Sequence, residues 1–145
     1  MSIHIINDTF PDYQLNKSRI KKILHTIINH EKKEFDLVSI ILENDEYLRM
    51  LKKQYFNQNI YTDVISFNLE ENNDPIDGEI YISIPRVIDN ANKYNANFNN
   101  EFKRILIHGL LHLIGYNDIS KRDKQHMTTL ENKYIDLNQG EIISR

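Results

Sequence analysis

Residues 108–118 read HGLLHLIGYND, with His108 and His112 four apart in an apolar run, then Gly115 and Asp118 at three-residue steps. Residues four apart on a helix stack one above the other, with Cβ atoms about 5–6 Å apart. Two imidazoles so placed can each aim a nitrogen at one ion. Zinc takes nitrogen ligands at about 2.0–2.1 Å in a tetrahedral shell, and a catalytic zinc keeps one of its four positions open. A third ligand must then come from beyond the helix. Gly115 offers the turn, because glycine tolerates the left-handed conformation that ends helices, and Asp118 follows it. The chain has no cysteine, so any metal is held by nitrogen and oxygen, and disulfide partners are excluded.

The string H-x-x-x-H-x-x-G-x-x-D has the spacing of the metzincin signature, with aspartate where the third histidine stands and Gly109 where a zinc protease carries its general-base glutamate. The bland alternative is a pair of satisfied core histidines. Against it, both lie among Ile105, Leu106, Ile107, Leu110, Leu111, Leu113 and Ile114, where an unpaired polar group costs about 1–3 kcal/mol. Each must find a hydrogen-bond partner, or the two share an ion; Gly115 and Asp118 at the right offsets favour the ion. His4 sits in an early strand, and His25 and His30 read as surface or helix-end residues. His126, after the same turn, is the competitor to Asp118 for the third position.

These residues need elements to position them. IHII at 3–6 reads as a strand, and apolar residues at Ile20, Ile23, Leu24, Ile27 and Ile28 mark one face of a helix from Leu15 to His30. LVSIILE at 37–43 reads as a buried strand, and 45–56 returns to helical spacing. In strand 62–69, Ile65, Phe67 and Leu69 alternate with Val64, Ser66 and Asn68. In strand 78–84, Ile80, Ile82 and Ile84 alternate with Glu79, Tyr81 and Ser83. A polar turn, EENNDPID, joins them, and Pro85 closes the second, with a helix soon after. Residues 101–114 form the histidine helix, with Asn99 or Asn100 as N-cap, and a last helix runs from Ser120 to about Ile135. The order β-α-β-α-β-β-α-α-α predicts one α/β (α+β) domain over residues 1–145: a mixed sheet of about four strands packed with helices, with a zincin-like metal-binding helix in the core.

Composition excludes several classes. With 145 residues, 40% hydrophobic and 27% charged, the chain suits a single folded core. It has no bilayer-length apolar run and no basic-then-apolar leader, which predicts a cytoplasmic protein without membrane partners. A net charge of −3 does not advertise nucleic acid, although a local basic strip suffices. Lys52–Lys53, Lys103–Arg104 and Lys121–Arg122–Lys124 are candidates, against the bland alternative of solvated helix faces.

At this point the chain resembles the YbeY family of metal-dependent endoribonucleases, whose signature is H-G-x-L-H-L-x-G-Y-D-H. YTDVISF at 61–67 and DGEIYIS at 77–83 are similar to the family's strand motifs, in matching order and spacing. The resemblance runs from about Leu37 to Ile135. It implies that His108 and His112 are metal ligands and that position 118, here Asp118, is the third. It also implies an arginine after Tyr55, where this chain has Phe56; Lys52, Lys53 or Arg104 are possible substitutes. The implied activity is cleavage of single-stranded RNA in ribosomal RNA processing (small-subunit 3′ end maturation) and ribosome quality control, with ribosomal RNA and the ribosome as partners.

The missing glutamate fits this chemistry. Peptide hydrolysis by a zincin needs a base beside the metal, whereas phosphodiester cleavage can lean more on the ion itself. The expected site is one Zn²⁺ on His108, His112 and Asp118, with Asp63 the carboxylate to test as general base. Substrate is expected in a groove beside the helix, involving Ser66, Glu79, Tyr81, Arg104 and Tyr116, with bases stacking on Tyr116 or Tyr81. A metalloprotease recruiting its base from another segment and a non-catalytic ribosome-associated metal protein are the alternatives.

Overall fold

The computed structural model describes residues 1–70 and 75–145, so the middle of the expected turn at 70–77 lies outside the described residues. The order is β1 (Ser2–Ile6), β2 (Gln14–Leu15), α1 (Lys17–Glu31), β3 (Phe35–Glu43), α2 (Asp45–Phe56), β4 (Val64–Asn68), β5 (Ile76–Ser83), α3 (Ile84–Lys93), α4 (Phe98–Ile114), α5 (Lys121–Leu137) and β6 (Ile143–Ser144). The expected mixed sheet of four strands is present, in the order β1-β3-β5-β4, parallel except for β4. The apolar run of β3 is explained by its position: it lies between β1 and β5, with Val38, Ile40 and Leu42 buried on one face and Ile41 on the other.

Local chemistry sets the helix boundaries. Asn16, Asn44, Ser83, Asn97 and Ser120 each accept a backbone N–H at the start of a helix. Two expectations are corrected here. The cap of α4 is Asn97, not Asn99 or Asn100, because Asn99 Oδ1 instead accepts the N–H groups of Ile142 and Ile143 and pins the C-terminal segment. Pro85 does not stand between β5 and α3 but lies in the first turn of α3, where its missing N–H costs nothing. The short antiparallel pair β2–β6 was not foreseen; two residues are too few to show an alternation.

Helix α4 lies across the sheet, with Phe102, Leu106, Ile107, Leu110 and Leu111 fully buried. A Cβ on Gly109 would stand 2.9 Å from Ile80 Cγ2 and 3.1 Å from both Ser66 Oγ and Val64 Cγ2, so only glycine permits this approach. Ser66 Oγ donates to the Gly109 carbonyl at 2.8 Å and Asn68 Nδ2 to that of Leu113 at 3.3 Å, tying β4 to the helix. No helix among the described residues is long and apolar enough to cross a membrane.

Candidate metal centre

The last two turns of α4 present His108 and His112 side by side, ring centroids 4.5 Å apart, with Nε2 facing Nε2 at 2.9 Å. Gly115 ends the helix at φ 115°, and its N–H and that of Tyr116 cap the carbonyls of His112 and Leu111. The reversed chain carries Asp118 back over the imidazoles, Oδ2 3.4 Å from His108 Nε2 and Oδ1 3.9 Å from His112 Nε2. One ligand atom from each of the three lies within 4.8 Å of the others.

The outer nitrogens fix which atoms are free. His112 Nδ1 meets the Tyr116 carbonyl at 2.9 Å, and a carbonyl only accepts, so Nδ1 carries the hydrogen. His108 Nδ1 meets Glu131 Oε2 at 2.6 Å and donates likewise. Both Nε2 lone pairs therefore face the same point. Lone pairs do not sit 2.9 Å apart without positive charge between them. A tetrahedral ion with bonds of about 2.0–2.1 Å holds its ligands about 3.3 Å apart, close to the separations seen, so the donor set fits a divalent ion. Outer hydrogen bonds of this type are what orient metal-binding histidines.

The same geometry splits the two imidazoles electrostatically. Burial lowers the His108 pKa, but the Glu131 hydrogen bond and the charges of Glu131, Asp118 and Asp63 outweigh it, leaving a net rise. His112 is lowered, by burial first and then by the charge on His108. Of the two imidazoles, His108 therefore holds a proton more readily than His112.

Glu131 is the residue that sequence reading missed. It is 6% exposed, comes from α5, and its other oxygen accepts from Arg104 Nη1 at 3.1 Å. Beside it, Asp63, Glu101, Arg104, Ile105, His108 and Glu131 line a cavity of about 110 Å³. Burial raises the Asp63 pKa against the opposing charge of His108, and Asn90 Nδ2 donates to its Oδ2 at 3.1 Å.

Other expected site residues are placed differently. Ser66 faces α4 and is committed to the Gly109 carbonyl. Glu79 and Tyr81 do not share its groove. In register Ser66 pairs with Ile80, which faces α4, whereas Glu79 pairs with Phe67 and Tyr81 with Ile65 on the opposite face. There Tyr81 stacks on Tyr47 of α2. Tyr116 lies beside the cluster, its hydroxyl donating to Glu31 and its ring edge-on to His126. That hydrogen bond, with burial, pushes its pKa up to about 12. His126 is occupied with Tyr116 and is not in the ligand group among the described residues. Phe56 stacks on Phe67, and Lys52 Nζ sits 4.6 Å over its ring. Lys52 is near enough for its charge to help lower the His112 pKa. Lys103 is 2% exposed and donates to the carbonyls of Asn138 and Gly140, so it does not belong to a surface basic strip.

The family model described as Endoribonuclease YbeY matches residues 5–139. A protein of that name from Christiangramia forsetii is 38% identical over 127 residues, covering 87% of this chain and 88% of the relative. One from Cytophaga hutchinsonii is 37% identical over 126 residues, covering 86% and 88%. The solution structure of TM1509 from Thermotoga maritima superposes with a TM-score of 0.59 at 28% identity, covering 92% of this chain and 87% of that one.

Proposed function

The chain belongs to the endoribonuclease YbeY family, and from that premise we propose that it cuts single-stranded RNA at a zinc site formed by His108, His112 and Asp118. The enzyme is an endoribonuclease, a hydrolase of RNA phosphodiester bonds. Its target is the ribosomal RNA precursor, at the small-subunit 3′ end, and its setting is the cytoplasm with the ribosome. The observation that carries the metal assignment is the pair of Nε2 atoms facing one another at 2.9 Å with both Nδ1 atoms tied back.

A divalent ion held there supplies Lewis acidity toward water and a phosphoryl oxygen. The chain's own groups do the rest. Glu131 and the Tyr116 carbonyl hold the two rings in one tautomer and orientation. Lys52 stands on the His112 side as the cation for substrate phosphate, in place of the arginine that the family carries where this chain has Phe56. Arg104 is the weaker substitute, since Glu131 and Asn132 already hold it. Asp63, its proton affinity raised by burial, is the group to accept a proton from the attacking oxygen. A protease with its base at position 109 is ruled out, because that position packs on β4 and β5 and has no room for a side chain. Against one that recruits its base from another segment, the family match favours the nuclease.

The test is cleavage of labelled single- and double-stranded RNA with and without chelator, with bound metal measured in His108→Ala and Asp118→Ala. Chelator-sensitive cutting of the single strand, lost with the metal in both variants, is expected. Metal binding without any cutting would reject the catalytic assignment.

A further inference from the structure

We infer that the solvent face of α1 is a docking track for the phosphate backbone of RNA, apart from the metal cluster. The inference rests on the RNA-cutting activity proposed above and adds a second point of contact to it. Residues 17–33 hold six of the eighteen basic residues and one of the twenty-one acidic ones, a net +5 that leaves −8 on the remainder of the chain. Lys17, Lys21 and His25 recur every four residues, with Lys22 alongside, and together with Ser18 they line a shallow groove. All five are exposed. Among the described residues no lysine forms an ion pair. The one acidic side chain of the segment, Glu31, is occupied by the hydroxyls of Tyr116 and Tyr134. Positive charge is thus concentrated in and just after α1, with Lys17, Lys21 and Lys22 on one groove of an otherwise acidic protein, the footprint expected of a polyanion partner.

The placement of α1 joins this face to the site. Glu31, in its last turn, bonds Tyr116, which belongs to the loop that carries Asp118. From Glu31 back to Lys17 is about 21 Å of helix at about 1.5 Å per residue. A strand advancing about 3.4 Å per nucleotide spans that in about six nucleotides. RNA cut at the cluster therefore reaches the lysines only if it extends several nucleotides to that side. A lipid surface also offers phosphates, but the apolar side of α1 (Ile20, Ile23, Leu24 and Ile27) is at most 1% exposed. It is spent in the core and leaves nothing to insert.

The test is fluorescence-anisotropy binding of a labelled 20-nucleotide oligouridylate across a KCl series with chelator present, so that cleavage cannot intervene. The wild type is compared with Lys17→Gln/Lys21→Gln/Lys22→Gln. Each lost single-strand phosphate contact removes about 0.7 from the slope of log affinity against log salt. The triple variant is expected to lose about 2 of slope, while metal-supported cleavage of a tetranucleotide stays at the wild-type rate. A slope within about 0.5 of wild type, with wild-type RNA binding intact, overturns the docking track alone. So does a variant that loses binding to phosphatidylserine vesicles but keeps its RNA affinity. A wild type that binds no RNA under any condition fails the parent activity, and the track with it.

Discussion

Replacing Glu131 with glutamine tests the proposed metal centre without touching a proposed ligand. The residue is 6% exposed and uses both carboxylate oxygens: Oε2 accepts from His108 Nδ1 at 2.6 Å and Oε1 from Arg104 Nη1 at 3.1 Å. Glutamine has the shape but only one acceptor. If its oxygen serves His108, its amide N–H groups face the Arg104 guanidinium; if it serves Arg104, the His108 ring loses the partner that orients it. Losing such an outer hydrogen bond costs about ten- to hundredfold in metal affinity, or about 1.4–2.8 kcal/mol. Zinc competition against a chromophoric chelator is expected to show that rise in Kd for Glu131→Gln. Arg104→Gln should show less than about threefold, because that guanidinium is partly solvated and acts only through Glu131. A Glu131→Gln Kd within twofold of wild type, alongside a large loss in Asp118→Ala, would refute the orienting role.

Three further outcomes follow from the packing. Gly109→Ala gains about 1 kcal/mol of helix propensity but places a Cβ 2.9 Å from Ile80 Cγ2. Overpacking of this kind costs about 1–3 kcal/mol, so urea denaturation should show a net loss of up to about 2 kcal/mol, and a more stable variant would contradict the contact. Asp63→Asn should lower turnover about 10²- to 10⁴-fold with metal content unchanged. It should also raise the melting temperature at neutral pH. Burial holds the Asp63 pKa above its unfolded value, so the charged form burdens the folded state as pH rises through the folded pKa. Below the ordinary aspartate value of about 3.9 the burden is gone. A gain that persists at pH 3 would show the wrong cause. Lys103→Met removes the donor shared by the Asn138 and Gly140 carbonyls, at 2.8 and 2.6 Å. It should cost about 2–4 kcal/mol of stability while leaving metal affinity at the wild-type value in the same competition assay.

Much of the candidate ligand set was legible in the sequence because it is local. His108, His112, Gly115 and Asp118 lie within eleven residues, and helix pitch plus one left-handed turn nearly fixes where their side chains meet. The helix faces were legible for the same reason, as were the strand alternations. Caps were less secure where two asparagines compete: Asn97 and Asn99 differ only in that one caps α4 and the other holds the C-terminal segment.

What tertiary structure alone decided are the partners that arrive from far along the chain. Glu131 reaches His108 across 23 residues and Glu31 reaches Tyr116 across 85, and no periodicity relates such positions. Strand alternation showed that Ser66 shares a face with Val64, and Tyr81 with Glu79, but not which faces lie together. That depends on the β4–β5 register and on which side α4 covers, and it put Glu79 and Tyr81 on the side away from the histidines. Gly109 shows both limits. Its identity, read alone, marked a missing base; its contacts with Val64, Ser66 and Ile80 show a close approach of helix to sheet that any side chain would obstruct. Local geometry is encoded by neighbours in sequence, whereas which surfaces meet is set by burying the apolar faces of the whole chain at once.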